Sequence, residues 1–212
     1  MTYQLAFIGD IHGCLPALHG ILRVVDEIEV RHTVFLGDYV NKGGHSSEVL
    51  GEVLAIAADG AATLLAGNHE RAMVLALDGG DLAPFLKMGG ATTIRSYVGA
   101  KVGPDVRAQF RASVPVEHLE ALRSMPEAYE AQGVIAAHTF SAPSDSRYRV
   151  SAHVNVGPVP VFSRGGAQID TGCSGASGRL TALLWPSLRV VQVDNMGRPC
   201  GGGTTVKPSI DR

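Results

Sequence analysis

Side chains that can hold metal ions follow the short apolar runs of this 212-residue chain. Asp10 and His12 come after the first run and lie two positions apart. In extended backbone, that spacing points both side chains to the same side. A carboxylate and an imidazole placed in this way can bind one divalent cation. The later runs add further oxygen and nitrogen ligands, which are Asp38, Asn68, His138 and His153.

Asp38 is the residue that we expect to join two metal ions. Asp38 follows the second apolar run. The later residues Asn68, His138 and His153 can complete the coordination of a second ion that Asp38 also binds. Two cations held roughly 3.5–4 Å apart by one carboxylate share a hydroxide and stabilise both oxygens of an in-line phosphoryl displacement. Oxygen and nitrogen ligands suit manganese, with iron or zinc as alternatives. The sequence therefore predicts a site for two divalent cations that attracts a phosphate dianion.

His69 directly follows Asn68, so the two side chains should face different ways. We interpret His69 as a general acid that protonates the leaving oxygen, which works best as an imidazolium held by a carboxylate. Asn41 stands where that carboxylate is expected. An amide oxygen can orient the ring without stabilising its positive charge. We therefore expect His69 to be less readily charged, and the reaction to be slower with poor leaving groups.

Three successive β-loop-α units position these residues. Each strand is a buried apolar run, each loop begins with glycine, and each helix repeats its apolar residues at helical spacing. Such alternation predicts a largely parallel sheet, and open α/β sheets hold their sites at the carboxyl ends of the strands. We expect strands at residues 5–8, 33–36 and 62–66, and helices at residues 16–28, 46–58 and 70–77.

The rest of the chain is less regular. Glycine and proline punctuate residues 78–132, which we interpret as a helical insertion near the site. The strand pattern resumes at residues 134–137, and the last third favours antiparallel or mixed strands. We predict a single α/β domain over residues 1–195 and a loosely ordered tail over residues 196–212.

Composition narrows the choice of function. The net charge of −2 argues against a protein that binds nucleic acid or membrane surfaces in general, because such proteins usually carry an excess of basic residues. No uninterrupted apolar run is long enough to span a bilayer. Three widely spaced cysteines favour a reducing compartment over a disulfide framework or a zinc finger. We expect a cytoplasmic protein with neither a nucleic-acid nor a membrane partner.

The motifs resemble those of the calcineurin-like metallophosphoesterases, on the branch of the PPP-type serine/threonine protein phosphatases of bacterial type. That branch shows G-D-x-H-G, G-D-x-V-D-R-G and G-N-H-E in this order, then a strand ending in His, a G-H-T and a D-T-G. The matching residues here are 9–13, 37–43, 67–70, His138, 152–154 and 170–172.

The resemblance implies a fold and a set of roles. The fold is a sandwich of two mixed β-sheets flanked by helices. One cation is held by Asp10, His12 and Asp38, and the second by Asp38 with Asn68, His138 and His153. By the same analogy His69 is the catalytic acid with Asn41 as its neighbour, and Lys42 and Asn68 contact the substrate.

The chain departs from the family pattern at three places. Asn41 replaces the Asp that pairs with the catalytic His, and Lys42 replaces a phosphate-binding Arg, which keeps the charge but loses the bidentate fork. Only 14 residues separate His138 from His153, where relatives insert a longer segment that carries a second phosphate-binding Arg. The candidate substitutes are Arg147, Arg149 and Arg164. Glu70 is expected to cap the third helix or to support the ligands.

The leading hypothesis is a metal-dependent phosphomonoesterase in which a metal-bridging hydroxide attacks phosphorus directly. Its partners would be a phosphorylated protein, with phosphoserine or phosphothreonine, or a small phosphoester. An alternative is a hydrolase of diadenosine tetraphosphate or another nucleotide. A second alternative is a metal-binding module that recognises phosphate with weak turnover.

Overall fold

The structure is a computed structural model that describes residues 5–140 and 146–201. Its strands are β1 (Leu5–Ile8), β2 (His32–Phe35), β3 (Ala62–Leu64), β4 (Ala128–Ala131), β5 (Val134–Ala137), β6 (Tyr148–Ser151), β7 (Val161–Ser163), β8 (Gly166–Gln168), β9 (Arg179–Trp185) and β10 (Arg189–Asp194). Its helices are α1 (Leu15–Glu27), α2 (Ser46–Ala58), α3 (Asn68–Leu77), α4 (Leu82–Lys87), α5 (Gly90–Val98), α6 (Val106–Ser113) and α7 (Val116–Ser124).

The strands form two five-stranded sheets, with orders β10-β9-β1-β2-β3 and β4-β5-β6-β8-β7. In the first sheet, β1, β2 and β3 run parallel, while β9 pairs antiparallel with both β1 and β10. In the second sheet, β5, β6 and β8 run parallel, and β4 and β7 are antiparallel edge strands. Both sheets are therefore mixed, which confirms the predicted fold class.

Strand β1 explains how the layers are arranged. All four of its residues are buried. Leu5 and Phe7 pack into the apolar cluster between the two sheets, whereas Ala6 and Ile8 pack on the opposite face against the helices. Because side chains alternate along a strand, an apolar run without polar interruption is what a strand covered on both faces requires.

The predicted helical insertion over residues 78–132 differs from the structure at its end. Helices α4 to α7 occupy most of it, but residues Ala128–Ala131 form strand β4. A tight turn at residues 132–133 joins β4 to β5 as a hairpin, and Gly133 supplies the positive φ of 77° that this turn uses. Pairing with β5, rather than local propensity, makes this segment a strand.

The final described residues belong to the domain surface. Pro199 forms an isolated bridge with Val193, and the backbone at Gly197 packs so closely on Gly20 of α1 that a Cβ on Gly20 would come within 2.3 Å of it. Residues 202–212 of the predicted tail lie outside the described residues. Within residues 5–140 and 146–201, no helix is both long and apolar enough to cross a membrane.

Candidate metal centre

The predicted ligands lie in the loops after β1 and β2, at the first residue of α3 after β3, and in the loops after β5 and β6 of the second sheet. The backbone of these loops is unusual. Seven non-glycine residues in the described part of the chain have positive φ, and five of them are predicted site residues. Such conformations are costly for residues with a Cβ and concentrate at functional sites. The five residues are His12, Asp38, Asn41, Lys42 and His153.

Two glycines let the loops approach each other. A Cβ on Gly37, whose φ is 102°, would lie 2.6 Å from the backbone nitrogen of Gly67. A Cβ on Gly67 would lie 2.2 Å from Asp38 Oδ1. Only glycine fits at these positions, so the glycines of two motifs are explained by the close contact of one loop with the other.

Glu70 ties the loop after β2 to the start of α3. Its Oε2 accepts hydrogen bonds from the backbone nitrogens of Asp38 (2.7 Å) and Gly67 (3.0 Å), and its Oε1 accepts from those of Tyr39 (2.9 Å) and Val40 (3.3 Å). Complete burial raises the pKa of Glu70, and the four backbone donors oppose that rise. The sequence suggested a cap or a supporting role, and the structure shows a carboxylate that satisfies four amides.

His12 presents one ring nitrogen to the first group of ligands. Its Nδ1 donates a hydrogen bond to the Val40 carbonyl (3.0 Å), which leaves the lone pair of Nε2 directed at the site. That Nε2 lies 3.7 Å from Asp10 Oδ2 and 3.7 Å from Asp38 Oδ2. Lys42 Nζ also reaches it and donates a hydrogen bond over 2.7 Å. The ammonium therefore shares this edge with the carboxylates.

His138 is oriented in the same way in the second group. Its Nδ1 donates to the Leu36 carbonyl (2.9 Å), and its Nε2 lies 2.9 Å from Asn68 Oδ1 and 3.4 Å from Asp38 Oδ1. His153 Nδ1 lies 2.9 Å from Asn68 Oδ1 and 3.1 Å from His138 Nε2. Because the ring proton of His138 is on Nδ1, its Nε2 is a hydrogen-bond acceptor. It faces the Asn68 oxygen, which is also an acceptor. That arrangement suits two ligands of one cation.

The donor set fits two divalent cations. Asp38 belongs to both groups, since Oδ2 faces His12 and Oδ1 faces His138. Asp10 Oδ2 is buried and has no hydrogen-bond partner among the described residues. Potential ligand atoms of Asp38 with His12 and His69, and of Asp38 with His138 and His153, lie within 4.8 Å of one another. A buried carboxylate oxygen without a donor is what a bound cation would satisfy.

Burial dominates the electrostatics of these ligands. It raises the pKa of Asp10 and Asp38 well above the usual range, with neighbouring carboxylates adding to the rise. It lowers the pKa of His12 to about 3, aided by Lys42, and that of His138 to about 4, aided by His153. The imidazoles are therefore neutral, which is the form that binds metals, and the carboxylates need a positive partner in order to ionise.

His69 contacts the amide of Asn41. Its Nδ1 lies 2.8 Å from Asn41 Nδ2, and its Nε2 lies 3.7 Å from Asp38 Oδ2. Burial, followed by the charge of Lys42, lowers the pKa of His69 to about 4. The sequence argument expected the amide oxygen to face the ring. The structure instead places the amide nitrogen there, so Asn41 donates a hydrogen bond to Nδ1.

Thr93 of α5 explains this orientation. Its hydroxyl donates to Asn41 Oδ1 (2.8 Å), so the amide nitrogen is left to face His69. The backbone nitrogen of Asn41 donates to Thr93 Oγ1 (2.8 Å) and to Ser46 Oγ (3.1 Å). Asn41, Ser46 and Thr93 are fully buried. The sequence predicts that Ser46 or Ser47 starts α2 and that a serine caps it. Ser46 does begin the helix, but its side chain faces this network and His45 stands at the N-cap position without a side-chain cap.

Sequence reasoning missed Thr93, because it lies in the glycine-rich middle segment where no motif marks it. The arginines proposed as phosphate ligands are not brought to the ligand groups. Arg147 pairs with Glu130, Arg164 lies in the turn between β7 and β8, and Arg149 stands over the Phe140 ring.

Comparisons with known proteins give matches to the first half of the chain. Residues 3–103 match the family model of the calcineurin-like phosphoesterases. A segment of 73 residues, 34% of this chain, is 45% identical to the symmetrical bis(5'-nucleosyl)-tetraphosphatase of Paracidovorax citrulli strain AAC00-1. A segment of 85 residues, 39% of this chain, is 33% identical to the serine/threonine-protein phosphatase 6 catalytic subunit of Drosophila melanogaster. These segments span 25% and 28% of the two relatives, about a quarter of their lengths.

The whole fold also has solved counterparts. A crystal structure provisionally assigned as a diadenosine tetraphosphatase superposes with a TM-score of 0.65 and 19% identity, and the match covers 96% of each chain. At this identity the likeness shows the fold alone. The chain is therefore similar to the calcineurin-like phosphoesterases over residues 3–103, just under half of its length, and it shares the fold of this solved structure over nearly all of it.

Proposed function

We propose that this protein is a metal-dependent hydrolase that cleaves phosphoanhydride bonds in nucleotides, with dinucleoside polyphosphates as the favoured substrates. Asp10, His12 and Asp38 would hold one divalent cation, and Asp38, Asn68, His138 and His153 the other. When bound, such cations lower the pKa of a coordinated water and offset phosphate charge. Manganese, iron and zinc all suit this donor set.

The remaining residues bind and orient the phosphate. Lys42 brings an ammonium to the same edge as His12, where it can contact an anionic oxygen. Asn68 offers an amide nitrogen on the side opposite its ligand oxygen. The Glu70 carboxylate keeps the loop of Asp38 fixed by its bonds to three successive amides. These residues position the substrate, and their roles are the same for every leaving group that the substrate could carry.

The hydrogen bond between Asn41 and His69 is the observation from which we infer the class of substrate. Because Nδ1 accepts a hydrogen bond from the amide, the neutral ring keeps its proton on Nε2. His69 can donate a hydrogen bond from Nε2, but losing that last ring proton would leave an unfavourable imidazolate. The leaving group must therefore depart without being fully protonated. A nucleotide phosphate is a stable anion, whereas the alkoxide of serine or threonine is not.

The tetraphosphatase relative supports the same conclusion, since it is named for the cleavage of dinucleoside polyphosphates. A second candidate is a phosphatase of phosphoserine or phosphothreonine in proteins, which the protein phosphatase 6 relative favours. Phosphoproteins and small phosphoesters both remain partners to be tested. A phosphate-recognition module with weak turnover is the third candidate.

Rates on three substrates separate these candidates. With manganese added, we expect wild-type protein to cleave diadenosine tetraphosphate and p-nitrophenyl phosphate, whose leaving groups need little protonation. Cleavage of a phosphoserine peptide should be slower by a factor within the range of about 10²–10⁴ that general acid catalysis usually contributes. Equal rates on the peptide would contradict the proposal, and an absence of turnover with metal bound would favour the recognition module.

The variant Asn41→Asp tests the role of the amide. A carboxylate would accept from His69 Nδ1 and favour the imidazolium, so we expect faster cleavage of the phosphoserine peptide and little change on diadenosine tetraphosphate. Asn195→Asp is the matched control, since Asn195 lies on the surface and donates to the Gly175 carbonyl. If Asn41→Asp were no faster on the peptide, the assignment of His69 and Asn41 would be wrong.

A further inference from the structure

A cavity of about 540 Å³ lies on the face of the second sheet that points away from the first. Its floor is polar. Arg149 and Ser151 of β6 and Gln168 of β8 line it, and Ser151 and Gln168 are direct neighbours across the strands. Val150 of β6 and its partner Ala167 of β8 precede Ser151 and Gln168 in their strands, and both pack into the apolar cluster between the two sheets. Strand alternation therefore presents these three polar side chains to the cavity.

The walls of the cavity are apolar. Phe140 forms one wall, with the Arg149 guanidinium 5.8 Å from the centre of its ring. Val154 and Val161 form the other, and they are 52% and 49% exposed. Small-molecule sites combine apolar walls with a few polar groups in volumes of about 300–1,000 Å³. Apolar side chains left exposed beside a site commonly mark a binding surface.

The cavity adjoins the second group of ligands. Phe140 is two residues beyond His138, and Ser151 is two residues before His153. At about 3.3 Å per extended residue, Phe140 and Ser151 each lie within roughly 7 Å along the chain of a candidate metal ligand. The cavity is therefore within reach of one end of a nucleotide whose phosphates lie at the metal centre.

Arg149 has unused hydrogen-bonding capacity. Its Nε is buried and has no hydrogen-bond partner among the described residues. Its guanidinium carbon lies 5.8 Å from the centre of the Phe140 ring, and the two terminal nitrogens of an arginine carry about four further N–H donors. Gln168 adds both an amide donor and an amide acceptor, and Ser151 adds a hydroxyl. An aromatic wall with this mixed set suits the ring and edge of a nucleobase.

We propose that this cavity, the nucleoside subsite, binds one base and ribose of the nucleotide whose phosphates reach the metal centre. The subsite comprises Phe140, Arg149, Ser151 and Gln168, with Val154 and Val161 at its rim. The base stacks on the Phe140 and Arg149 side, and its edge bonds to Gln168 and Ser151. This assignment rests on the proposed function and specifies that substrates carrying a nucleoside are preferred to bare polyphosphate.

The test compares diadenosine tetraphosphate with inorganic tripolyphosphate, an anhydride that carries no nucleoside. For Gln168→Ala and Arg149→Ala, we expect the KM for diadenosine tetraphosphate to rise up to about tenfold, as loss of one or two hydrogen bonds implies. The rate on inorganic tripolyphosphate should stay at the wild-type value. Arg23→Ala, on the exposed side of α1, is the matched control and should change neither.

A binding measurement tests the subsite without turnover. Adenosine, which carries no phosphate, is titrated into wild-type protein and both variants in the presence of a chelator, with calorimetry as the readout. We expect weak binding to wild type and a severalfold weaker constant for each variant. Absence of adenosine binding to wild type, or equal binding to all proteins, would overturn the subsite.

The two proposals fail in different ways. If wild type hydrolyses neither anhydride, the proposed function is wrong, while adenosine binding still decides on the subsite. If wild type cleaves tripolyphosphate as well as diadenosine tetraphosphate and the variants match it on both, anhydride hydrolysis stands and the nucleoside subsite is overturned.

Discussion

The two edges that supply the candidate metal ligands are built differently. At the first sheet, Asp10, His12 and Asp38 are buried. Their loops are tied to the start of α3 by Glu70 and to each other by backbone hydrogen bonds, such as that from His12 to the Asp38 carbonyl. At the second sheet, His138 is buried but His153 is exposed. His153 is braced by its backbone nitrogen, which donates to Asp10 Oδ1 over 3.4 Å.

This difference explains why the ligands of the two edges are marked by different sequence patterns. Loops that must fit against each other need glycine and a shared carboxylate at fixed positions, and so they appear as compact motifs. Ligands that are placed by strand position alone appear as single histidines after apolar runs. We expect the first edge to govern stability and the chemistry of the leaving group, and the second edge to govern the retention of one cation.

Replacing the residue that both edges share should have the largest effect. For Asp38→Ala we expect kcat/KM on diadenosine tetraphosphate to fall by more than the 10–100-fold loss typical of residues that merely support metal ligands. Metal content measured by mass spectrometry should fall as well. Asp59→Ala, at the exposed end of α2, is the control. Undiminished hydrolysis by Asp38→Ala would remove the basis for a two-cation site.

Glu70→Gln should come next, through stability. The new amide would place an NH2 group against backbone N–H donors and leave two of them unpaired in the interior. We expect the free energy of unfolding to fall by about 2–3 kcal/mol, measured by urea denaturation in the presence of a chelator. The exposed Glu52, which bonds to His19, provides the control Glu52→Gln. A loss no larger than that of the control would mean that the four amide contacts do not stabilise the first edge.

Asp10→Asn tests the free-energy cost of burying the Asp10 charge, because that cost should change with pH. The folded-state pKa of Asp10 is raised, so its contribution to stability is fully present in acid and is lost as pH rises through that pKa. In a chelator at pH 8, we expect Asp10→Asn to be more stable than wild type by on the order of 1 kcal/mol. Thermal unfolding at pH 4 should show the difference vanish, and added manganese should favour wild type. A difference that is the same at both pH values would contradict this account.

The smallest effect on stability is expected at the second edge. Because His153 is exposed, His153→Ala should change the free energy of unfolding by less than about 0.5 kcal/mol. Calorimetric titration with manganese should nevertheless show one of the two binding events weakened. His19→Ala, another exposed histidine, should leave both events intact. Two unchanged binding events in His153→Ala would show that this residue is not a ligand.

Much of this architecture could be predicted from the sequence because local signals and tertiary structure agree. Strands β1, β2 and β5 are apolar runs bounded by glycine or histidine, and the structure has them within one residue of the predicted bounds. Strand β4 could not be predicted, because its conformation depends on pairing with β5 through the turn at Gly133. Asp10, His12 and Asp38 were predicted from compact motifs that encode the loop geometry, whereas His138 and His153 were predicted from single histidines after apolar runs.

Other features depend on contacts that no local pattern records. The bond from Thr93 to Asn41 joins residues 52 positions apart, and the orientation of the amide follows from that bond rather than from the motif. The four amides that Glu70 binds are likewise selected by the packing of one loop on another. The sequence predicted which residue types stand at the site, whereas their hydrogen-bond directions required the folded chain.

The position of Thr93 has an evolutionary consequence. The hydroxyl that orients the Asn41 amide belongs to α5, a helix that supplies none of the candidate ligands. If His69 acts as proposed, mutations in this helix would alter how it treats a departing group, and we expect cation affinity to be preserved. Selection for new substrates and selection for metal retention would then act on separate parts of the same polypeptide.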